Sequence, residues 1–216
     1  MKRAPDWSLY LVTDRRLASP RVIEDVVAAA VRGGVTAVQL REKECSVREF
    51  VELARRLKAI LTPLGVPLIV NDRADVALAA GADGVHVGQS DMDCRDLRRL
   101  LGPGAIVGLS VETAEQAEEA AALPVDYLGV GPIFSTPTKP DAAPAWGLEQ
   151  LAGLRRRTRR VLVAIGGIHA GNAGQVAEAG ADGIAVVSAI CAAANPEAAA
   201  RELRNRTRGA SRVLAD

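Results

Sequence analysis

Two carboxylates and three cations stand out because each lies in a segment that follows a short apolar run. The carboxylates are Asp72 and Asp91, and the cations are Arg41, Lys43 and Lys139. Cations alone would indicate simple anion binding. Carboxylates beside them indicate a magnesium ion, which binds one or two carboxylates together with phosphate oxygens and water. The combination predicts a diphosphate site, in which a metal ion and lysine side chains neutralise charge on a leaving group.

A second set of residues has the character of a phosphate site. Gly166 and Gly167 follow one apolar run, and Val187 and Ser188 follow the next. Backbone N–H groups at such positions commonly hold a phosphate. Two phosphate-type sites predict two phosphorylated substrates, or one substrate with a phosphate at each end.

A long loop separates the two sets. The segment 131–147, GPIFSTPTKPDAAPAWG, is rich in turn formers and contains Thr136, Thr138 and Lys139. Loops of this length are uncommon in compact domains unless they have a function. The loop is therefore a candidate part of the site.

Apolar runs that alternate with helical segments must position these residues. The runs are nearly continuous in apolar character, as expected for parallel strands covered on both faces. The clearest helix is 46–61, which places its apolar residues on one stripe. Eight strands and eight helices predict an α/β fold, a single (β/α)8 TIM-barrel domain over residues 1–216. The predicted strands are 8–14, 37–42, 67–72, 84–88, 105–111, 127–132, 161–167 and 183–190.

The positions of the polar residues agree with a barrel. In TIM barrels the site lies at the carboxyl ends of the strands, and the polar candidates collect there while the strand beginnings are mostly apolar or small. The segments AGADGVHVG (80–88) and AGADGIAVV (179–187) are also similar and lie four βα units apart, as half-barrel duplication would place them. An open doubly wound sheet is the alternative. Eight strands without a large capping domain favour closure.

Composition excludes several classes of function. Hydrophobic residues make up 49% of the 216 residues and aromatic residues only 3%, so Ala, Val, Leu and Ile are expected to fill the core. A net charge of +1 gives no general attraction to nucleic acid or to anionic membranes. The basic cluster at 155–160, RRRTRR, is interpreted as a solvated helix end on the opposite rim.

Cysteine usage and the N-terminus bear on location. Three widely spaced cysteines argue against a disulfide framework or a zinc site. The N-terminus lacks the apolar region of a signal peptide, and no apolar run approaches the ~18 residues of a membrane span. These features predict a cytoplasmic protein with small-molecule phosphorylated substrates and no nucleic-acid or membrane partner. The oligomeric state, including a homo-oligomer, stays open.

The motifs resemble those of the thiamine-phosphate synthase family over nearly the whole chain. The matching stretches, in order, are LYLVTD, VQLREK, NDRADVALAAGADGVHVGQSD, GLSVET, DYLGVGPIFSTPTKPDA, AIGGI and AVVSAI. The resemblance implies a (β/α)8 transferase that joins 4-amino-2-methyl-5-(diphosphooxymethyl)pyrimidine to 4-methyl-5-(2-phosphooxyethyl)thiazole and releases diphosphate. Pro140 and Trp146 depart from the pattern that the family's loop leads us to expect, which bears on loop closure more than on the reaction.

The resemblance also implies residue roles. Five consecutive residues bind the pyrimidine diphosphate, with Gln39 facing the ring, Arg41 and Lys43 facing the diphosphate, and Leu40 and Glu42 between them. That site is completed by Asn71, Ser110 and Lys139, and Mg²⁺ is held by Asp72 and Asp91. The thiazole phosphate is held by Thr136, Pro137, Thr138, Gly167, Val187 and Ser188.

The implied mechanism is dissociative. Diphosphate leaves the electron-rich aminopyrimidine, and the thiazole nitrogen captures the resulting cation. No protein nucleophile is needed, and loop closure would exclude water. His86 lies within the fourth predicted strand, where it either lines the pyrimidine pocket or packs inside the barrel.

Three alternatives carry different requirements. A thiazole tautomerase would need the thiazole-phosphate half of the site and a general acid/base instead of the diphosphate half. A non-catalytic sensor would need an effector element, which the sequence does not show. A sugar-phosphate isomerase would need an acid/base pair at the ends of strands one and five, where Thr13, Asp14 and Ser110 stand. The sequence leaves open the turnover rate, the preferred form of the thiazole phosphate and the state of the loop without ligand.

Overall fold

The computed structural model describes residues 5–136 and 144–211, with side chains described as far as Thr207. Eight parallel strands form a closed barrel in which each strand pairs with the next along the chain. Closure is made by β1 and β8, where Leu9 lies opposite Ile184 and Leu11 opposite Val186. The predicted (β/α)8 barrel is therefore confirmed. The strands are β1 (Leu9–Val12), β2 (Ala37–Leu40), β3 (Leu68–Asn71), β4 (Gly84–Val87), β5 (Ile106–Val111), β6 (Tyr127–Val130), β7 (Val161–Ile165) and β8 (Gly183–Val186).

The last predicted strand ends earlier than expected. The apolar run continues to residue 190, but β8 stops at Val186 and a short helix follows from Ser188. A short apolar run does not distinguish a buried strand from a buried helical turn. The prediction of a strand over 183–190 is thus wrong for its second half.

Helices connect the strands on the outside of the barrel. The long helix α3 begins with a capping box, in which Ser46 and Glu49 satisfy each other's backbone N–H groups. The short α1 and α9 follow β1 and β8 as additional turns. The helices are α1 (Arg15–Ala18), α2 (Ile23–Arg32), α3 (Val47–Leu61), α4 (Ala74–Ala80), α5 (Cys94–Leu101), α6 (Ala114–Glu119), α7 (Gly147–Arg157), α8 (Ala173–Glu178), α9 (Ser188–Cys191) and α10 (Pro196–Ser211).

Two cores stabilise the fold. The larger core lies between strands and helices and consists mainly of Ala, Val, Leu and Ile, as composition predicts. The smaller core fills the barrel interior and contains Trp7, Tyr10 and Tyr127. Five of its eight residues are aliphatic, as composition predicts, and three of the six aromatic residues of the chain join them there. Their rings contact one another, with the centroids of Trp7 and Tyr127 4.2 Å apart.

A repeated polar clamp ties strands together at the N-terminal rim. The Oδ2 atoms of Asp83, Asp126 and Asp182 each accept a hydrogen bond from the backbone N–H of the preceding strand, at 2.7 to 2.8 Å. Each carboxylate also pairs with a cation from the helix before that strand. These cations are Lys58, Arg98 and Arg155, respectively.

The basic cluster at 155–160 belongs to this rim. Arg155 pairs with Asp182 at 2.8 Å, and the guanidinium of Arg160 donates to the carbonyls of Ala121, Leu123 and Val125. Its position near the end of α7 is as predicted. Arg155 and Arg160 therefore bind carbonyl groups and a carboxylate of the barrel, while Arg156, Arg157 and Arg159 are exposed.

Candidate active site

The carboxyl end of β2 places the first candidate residues. The buried Thr13 accepts a hydrogen bond from the backbone N–H of Arg41 at 3.1 Å and donates its own N–H to the Gln39 carbonyl at 2.9 Å. These contacts join the ends of β1 and β2. The side chain of Gln39 points into the barrel and is 5% exposed.

Lys43 and Asp72 form an ion pair across the ends of β2 and β3. The distance from Lys43 Nζ to Asp72 Oδ2 is 2.7 Å. Asp72 has φ of 61°, and in the described chain it is the one non-glycine residue in the left-handed region. Its N–H donates to the His86 carbonyl at 2.8 Å, which holds this conformation against β4. Backbone outliers of this kind cluster at functional sites.

The turn after β4 orients Asp91. Its Oδ2 accepts a hydrogen bond from the backbone N–H of Gly88 at 2.7 Å, and the side chain remains exposed. In the same turn, Gln89 Nε2 donates to the Ser110 carbonyl at 2.6 Å. Asp72 and Asp91 therefore follow neighbouring strands on one rim, as predicted.

A chain of hydrogen bonds crosses the barrel interior below this rim. Gln39 Nε2 donates to Tyr10 Oη at 3.1 Å, and Tyr10 Oη lies 2.9 Å from Tyr127 Oη. Tyr127 Oη lies 2.8 Å from His86 Nδ1, and His86 Nε2 lies 2.8 Å from Ser110 Oγ. The two predicted residues Gln39 and Ser110 are thus linked through three buried side chains.

Burial changes the protonation behaviour of this chain. Desolvation lowers the pKa of His86 to about 4, so its imidazole is neutral at pH 7. Desolvation also raises the pKa values of Tyr10 and Tyr127 above the usual value for tyrosine. All three side chains are therefore neutral hydrogen-bonding groups near neutral pH. His86 packs in the barrel and also contacts the candidate residue Ser110.

Sequence reasoning missed Tyr10 and Tyr127. The available signal was the presence of both tyrosines of an aromatic-poor chain in strands. Strand periodicity alone does not show which side chains meet across a closed barrel. Their contact depends on β1 and β6 lying on opposite sides of the interior.

Glycines shape the second candidate region. Gly166 and Gly167 have φ values of 101° and 64°, which an L-residue adopts only with strain. A Cβ on Gly167 would lie 2.7 Å from both Phe134 Cβ and the Ser135 carbonyl oxygen. The glycine therefore permits the turn after β7 to lie against the segment that follows β6. Ser188 is exposed at the beginning of α9, beside Val187.

Part of the long loop lies outside the described residues. Pro137, Thr138 and Lys139 fall in this part, and the described chain resumes at residue 144. Both flanks of the loop are held by the residues that follow β7 and β5. Phe134 donates its N–H to the Gly166 carbonyl at 3.0 Å, and Trp146 Nε1 donates to the Glu112 carbonyl at 2.7 Å. Thr136 is the last described residue before the gap.

Two predicted site residues have side chains that face away from the others. Leu40 is fully buried in the core between strands and helices, so only its backbone faces the rim. The Glu42 carboxylate accepts three contacts from Arg15 at 2.6 to 2.9 Å and is 6% exposed. Glu42 therefore joins β2 to the end of β1. Asn71 ends β3, where it lies opposite His86 in the register.

The rim carboxylates Asp72 and Asp91 are the candidate ligands for Mg²⁺. Among the described residues, His, Cys, Asp and Glu side chains form no cluster of three that would make a protein-only metal site. Asp72 and Asp91 instead offer two carboxylates on one rim, and the first of them is paired with Lys43. This donor set fits Mg²⁺, which binds through one or two carboxylates and takes its remaining ligands from substrate phosphates and water.

Within residues 5–136 and 144–211, no helix has both the length and the apolar character needed to cross a bilayer.

The family model and the relatives that match this sequence carry the same description. Residues 9–190 match a family model described as thiamine monophosphate synthase. A thiamine-phosphate synthase of Albidiferax ferrireducens is 61% identical over 196 residues, covering 91% of this chain and 90% of that protein. One from Syntrophomonas wolfei subsp. wolfei is 54% identical over 199 residues, covering 92% and 95%.

Structural comparison agrees with the sequence relatives. The thiamine phosphate pyrophosphorylase of Pyrococcus furiosus superposes with a TM-score of 0.87 at 38% identity, covering 96% of this chain and 98% of that one. A 3-hexulose-6-phosphate synthase superposes with a TM-score of 0.66 at 21% identity, over 92% and 99%, which is a likeness of fold alone. The match of the family model to most of the chain and the high identity of these relatives show that the chain belongs to the thiamine monophosphate synthase family.

Proposed function

We propose that the protein is a thiamine-phosphate synthase. In this reaction 4-amino-2-methyl-5-(diphosphooxymethyl)pyrimidine and 4-methyl-5-(2-phosphooxyethyl)thiazole give thiamine phosphate and diphosphate. The observation that supports it most directly is the Lys43–Asp72 ion pair at 2.7 Å, on the rim that also carries Asp91. A cation and carboxylates together suit a metal-bound diphosphate, whereas a simple anion site needs only cations.

The diphosphate end of the substrate is assigned to Arg41, Lys43 and Lys139. Asp72 and Asp91 would hold Mg²⁺, which when bound neutralises charge on the departing diphosphate. Lys43 Nζ lies 2.7 Å from Asp72 Oδ2, so it would contact a phosphate oxygen next to the carboxylate that would hold the metal. These residues orient the leaving group and stabilise the charge that develops on it.

The pyrimidine end is assigned to Gln39, Asn71 and Ser110, with His86 behind Ser110. The Gln39 and Ser110 side chains are both anchored from below by the hydrogen-bond chain of the barrel. Anchored polar groups hold a ring in one orientation without the cost of ordering flexible side chains. The ring orientation in turn aims the reactive methylene carbon.

The thiazole phosphate is assigned to Thr136, Pro137, Thr138, Gly167, Val187 and Ser188. Gly167 lies against the backbone of Ser135, so the turn after β7 and the start of the loop form one surface. A substrate held on this surface would lie beside the loop. Closure of the loop would exclude water, which would otherwise convert the pyrimidine cation to an alcohol.

A thiazole tautomerase is the second candidate function, and His86 argues against it. A tautomerase needs a group that exchanges protons with its substrate. His86 is 8% exposed, and both of its ring nitrogens are engaged by Tyr127 and Ser110. It is therefore a poor acid/base.

The function is tested by mixing the purified protein with both phosphorylated substrates, with and without Mg²⁺, and assaying thiamine phosphate. We expect product that depends on Mg²⁺. Isomerisation of the thiazole phosphate without thiamine phosphate would favour the tautomerase instead.

The site assignment is tested with Asp72→Asn and Lys139→Ala. Each removes a charge that acts on diphosphate departure, so we expect kcat to fall about 100-fold with normal folding. Asp96→Asn is a matched control, because Asp96 lies on an exposed face of α5 and pairs there with Arg99. Unchanged activity in both site variants would contradict the assignment, and circular dichroism checks folding.

A further inference from the structure

The chain from Gln39 to Ser110 has a direction, because a hydroxyl group has only one proton to donate. Tyr10 accepts from Gln39 Nε2, so the Tyr10 proton is available for Tyr127. Tyr127 then accepts from Tyr10 and donates to His86 Nδ1. A neutral imidazole with an accepting Nδ1 carries its proton on Nε2, and this N–H donates to Ser110 Oγ. Ser110 is left with its own proton to donate elsewhere.

The opposite direction of the hydrogen-bond chain would require the Gln39 side-chain amide in the flipped orientation. If the amide oxygen faced Tyr10, every bond of the chain would reverse, and the Ser110 proton would be used on His86. An intermediate arrangement would leave a hydroxyl proton unpaired on Tyr10 or Tyr127, which are 1% and 0% exposed. An unpaired buried polar group is costly, so the chain behaves as one unit.

We propose that Tyr10 and Tyr127 are positioning residues that couple the orientation of the Gln39 amide to the proton direction of Ser110. With the direction that follows from Gln39 Nε2 as the donor, Gln39 presents its carbonyl oxygen and Ser110 presents its hydroxyl proton. This acceptor and donor pair matches a ring that carries an amino group and a ring-nitrogen lone pair. It mismatches a 4-oxo ring, which carries a carbonyl oxygen and a ring N–H. The inference rests on the proposed function for the identity of the ring.

The aromatic packing around Tyr127 holds the members of the hydrogen-bond chain in fixed positions, which supports the coupling. Its ring lies 4.2 Å from Trp7 and 5.4 Å from His86, measured between centroids. A Cβ on Gly129 would lie 2.9 Å from His86 Cε1, and a Cβ on Gly108 would lie 2.5 Å from His86 Nδ1. The glycines of β5 and β6 therefore make room for the imidazole, and the neighbouring rings restrict its rotation.

The first test measures the tautomer of His86 by ¹⁵N NMR of the imidazole in the unliganded enzyme. The chain contains two histidines, so His86→Gln identifies the signals. We expect the Nε2–H tautomer in the wild type and a mixture of tautomers in Tyr127→Phe, which removes the donor to Nδ1. An Nδ1–H tautomer in the wild type, or no change in Tyr127→Phe, would overturn the proposal. This result does not depend on the reaction catalysed.

The second test measures binding. In Tyr127→Phe we expect KM for the pyrimidine diphosphate to rise about tenfold, with kcat and the KM of the thiazole phosphate nearly unchanged. The 4-amino and 4-oxo forms of 2-methyl-5-(phosphooxymethyl)pyrimidine serve as competitive inhibitors. Tyr10→Phe frees the Gln39 amide to turn, so we expect preference for the 4-amino form to fall about tenfold.

The control is Trp7→Phe, which disturbs packing against Tyr127 but removes no member of the chain. Equal losses of pyrimidine affinity in Trp7→Phe and Tyr127→Phe would show a merely structural role and overturn the proposal. Absence of synthase activity in a wild type with the expected tautomer would instead overturn the proposed function. In that case the two inhibitors still test the coupling through their binding.

Discussion

Asp72 combines a left-handed backbone, with φ of 61°, and a short ion pair to Lys43. The backbone N–H of Asp72 is tied to the carbonyl of His86, so the carboxylate position is coupled to β4. Aspartate tolerates this conformation better than bulky residues do. Sequence analysis identified the residue from its type and its place after a strand. The conformation was not predictable, because it depends on the neighbouring strand.

At the same scale, His86 should make stability depend on pH. The pKa of His86 is about 4 in the folded protein, whereas the ordinary value of 6.5 applies to the unfolded chain. Between these two pH values the unfolded chain therefore binds more protons than the folded protein. Stability therefore falls as the pH falls. From pH 7 to pH 5 we expect this residue to cost about 1 to 2 kcal/mol of unfolding free energy.

The measurement is urea unfolding of the wild type and His86→Gln at both pH values. The variant is expected to lose less stability on acidification, although it is less stable at pH 7. Subtracting the two profiles removes the contribution of the carboxylates. Parallel profiles would contradict the assignment of a neutral, buried imidazole.

At the scale of elements, a polar side chain at the N-terminal rim precedes every second strand and accepts a backbone hydrogen bond from the strand before it. Asp83, Asp126 and Asp182 precede β4, β6 and β8, and Thr36 precedes β2. Thr36 also accepts from the backbone N–H of a neighbouring strand, that of Leu9, at 3.1 Å. The similarity between AGADG at 80–84 and at 179–183 is thus explained, because the aspartate of each copy is a clamp. The repeat extends to a threonine, which sequence similarity alone does not reveal.

Removing a clamp should cost stability without affecting the site. In Asp83→Ala and Asp182→Ala the buried strand N–H loses its charged acceptor, so we expect each to lose about 1 to 3 kcal/mol of unfolding free energy. The double variant should show nearly the sum, since the two clamps share no partner. Urea unfolding measures the effect.

Asp96→Ala on the exposed face of α5 is the control and should remain within about 0.5 kcal/mol of the wild type. Synthase activity below the transition should be retained, because the clamps lie on the opposite rim. If Asp83→Ala or Asp182→Ala were as stable as the control, the proposed stabilisation of the barrel by these aspartates would be disproved.

At the scale of the whole molecule, closure of the barrel depends on glycine where strands approach closely. A Cβ on Gly183 would collide with the Trp7 carbonyl oxygen, beside the pairing of β8 with β1. Gly84 and Gly131 would collide in the same way with the carbonyls of Ile106 and Ile165. These are backbone contacts, which cannot give way as a side chain can. The glycines are therefore required by the geometry of the closed sheet.

We expect Gly183→Ala to destabilise the protein by about 3 kcal/mol or more, because the added methyl group overpacks a backbone contact. Gly104→Ala is the matched control, since a Cβ there meets nothing within 4 Å. Urea unfolding of both variants checks the difference. Equal stability of the two would show that the barrel accommodates the methyl group by a small shift.

The sequence by itself determined the fold class, the family and the rim that carries the polar residues. This was possible because alternating apolar runs define strands and helices, and because parallel strands place their carboxyl ends on one rim. The order of residues along the chain therefore gave Asp72, Asp91 and Lys43 a common location.

Only the tertiary structure decided how side chains from distant strands meet. The chain from Gln39 through Tyr10, Tyr127 and His86 to Ser110 joins five strands across the barrel interior. The helical turn after β8 and the pairing of Glu42 with Arg15 were decided in the same way. Barrel closure determines these contacts, because it brings together residues that are far apart in sequence. The local pattern of apolar and polar residues does not show which of them meet in space.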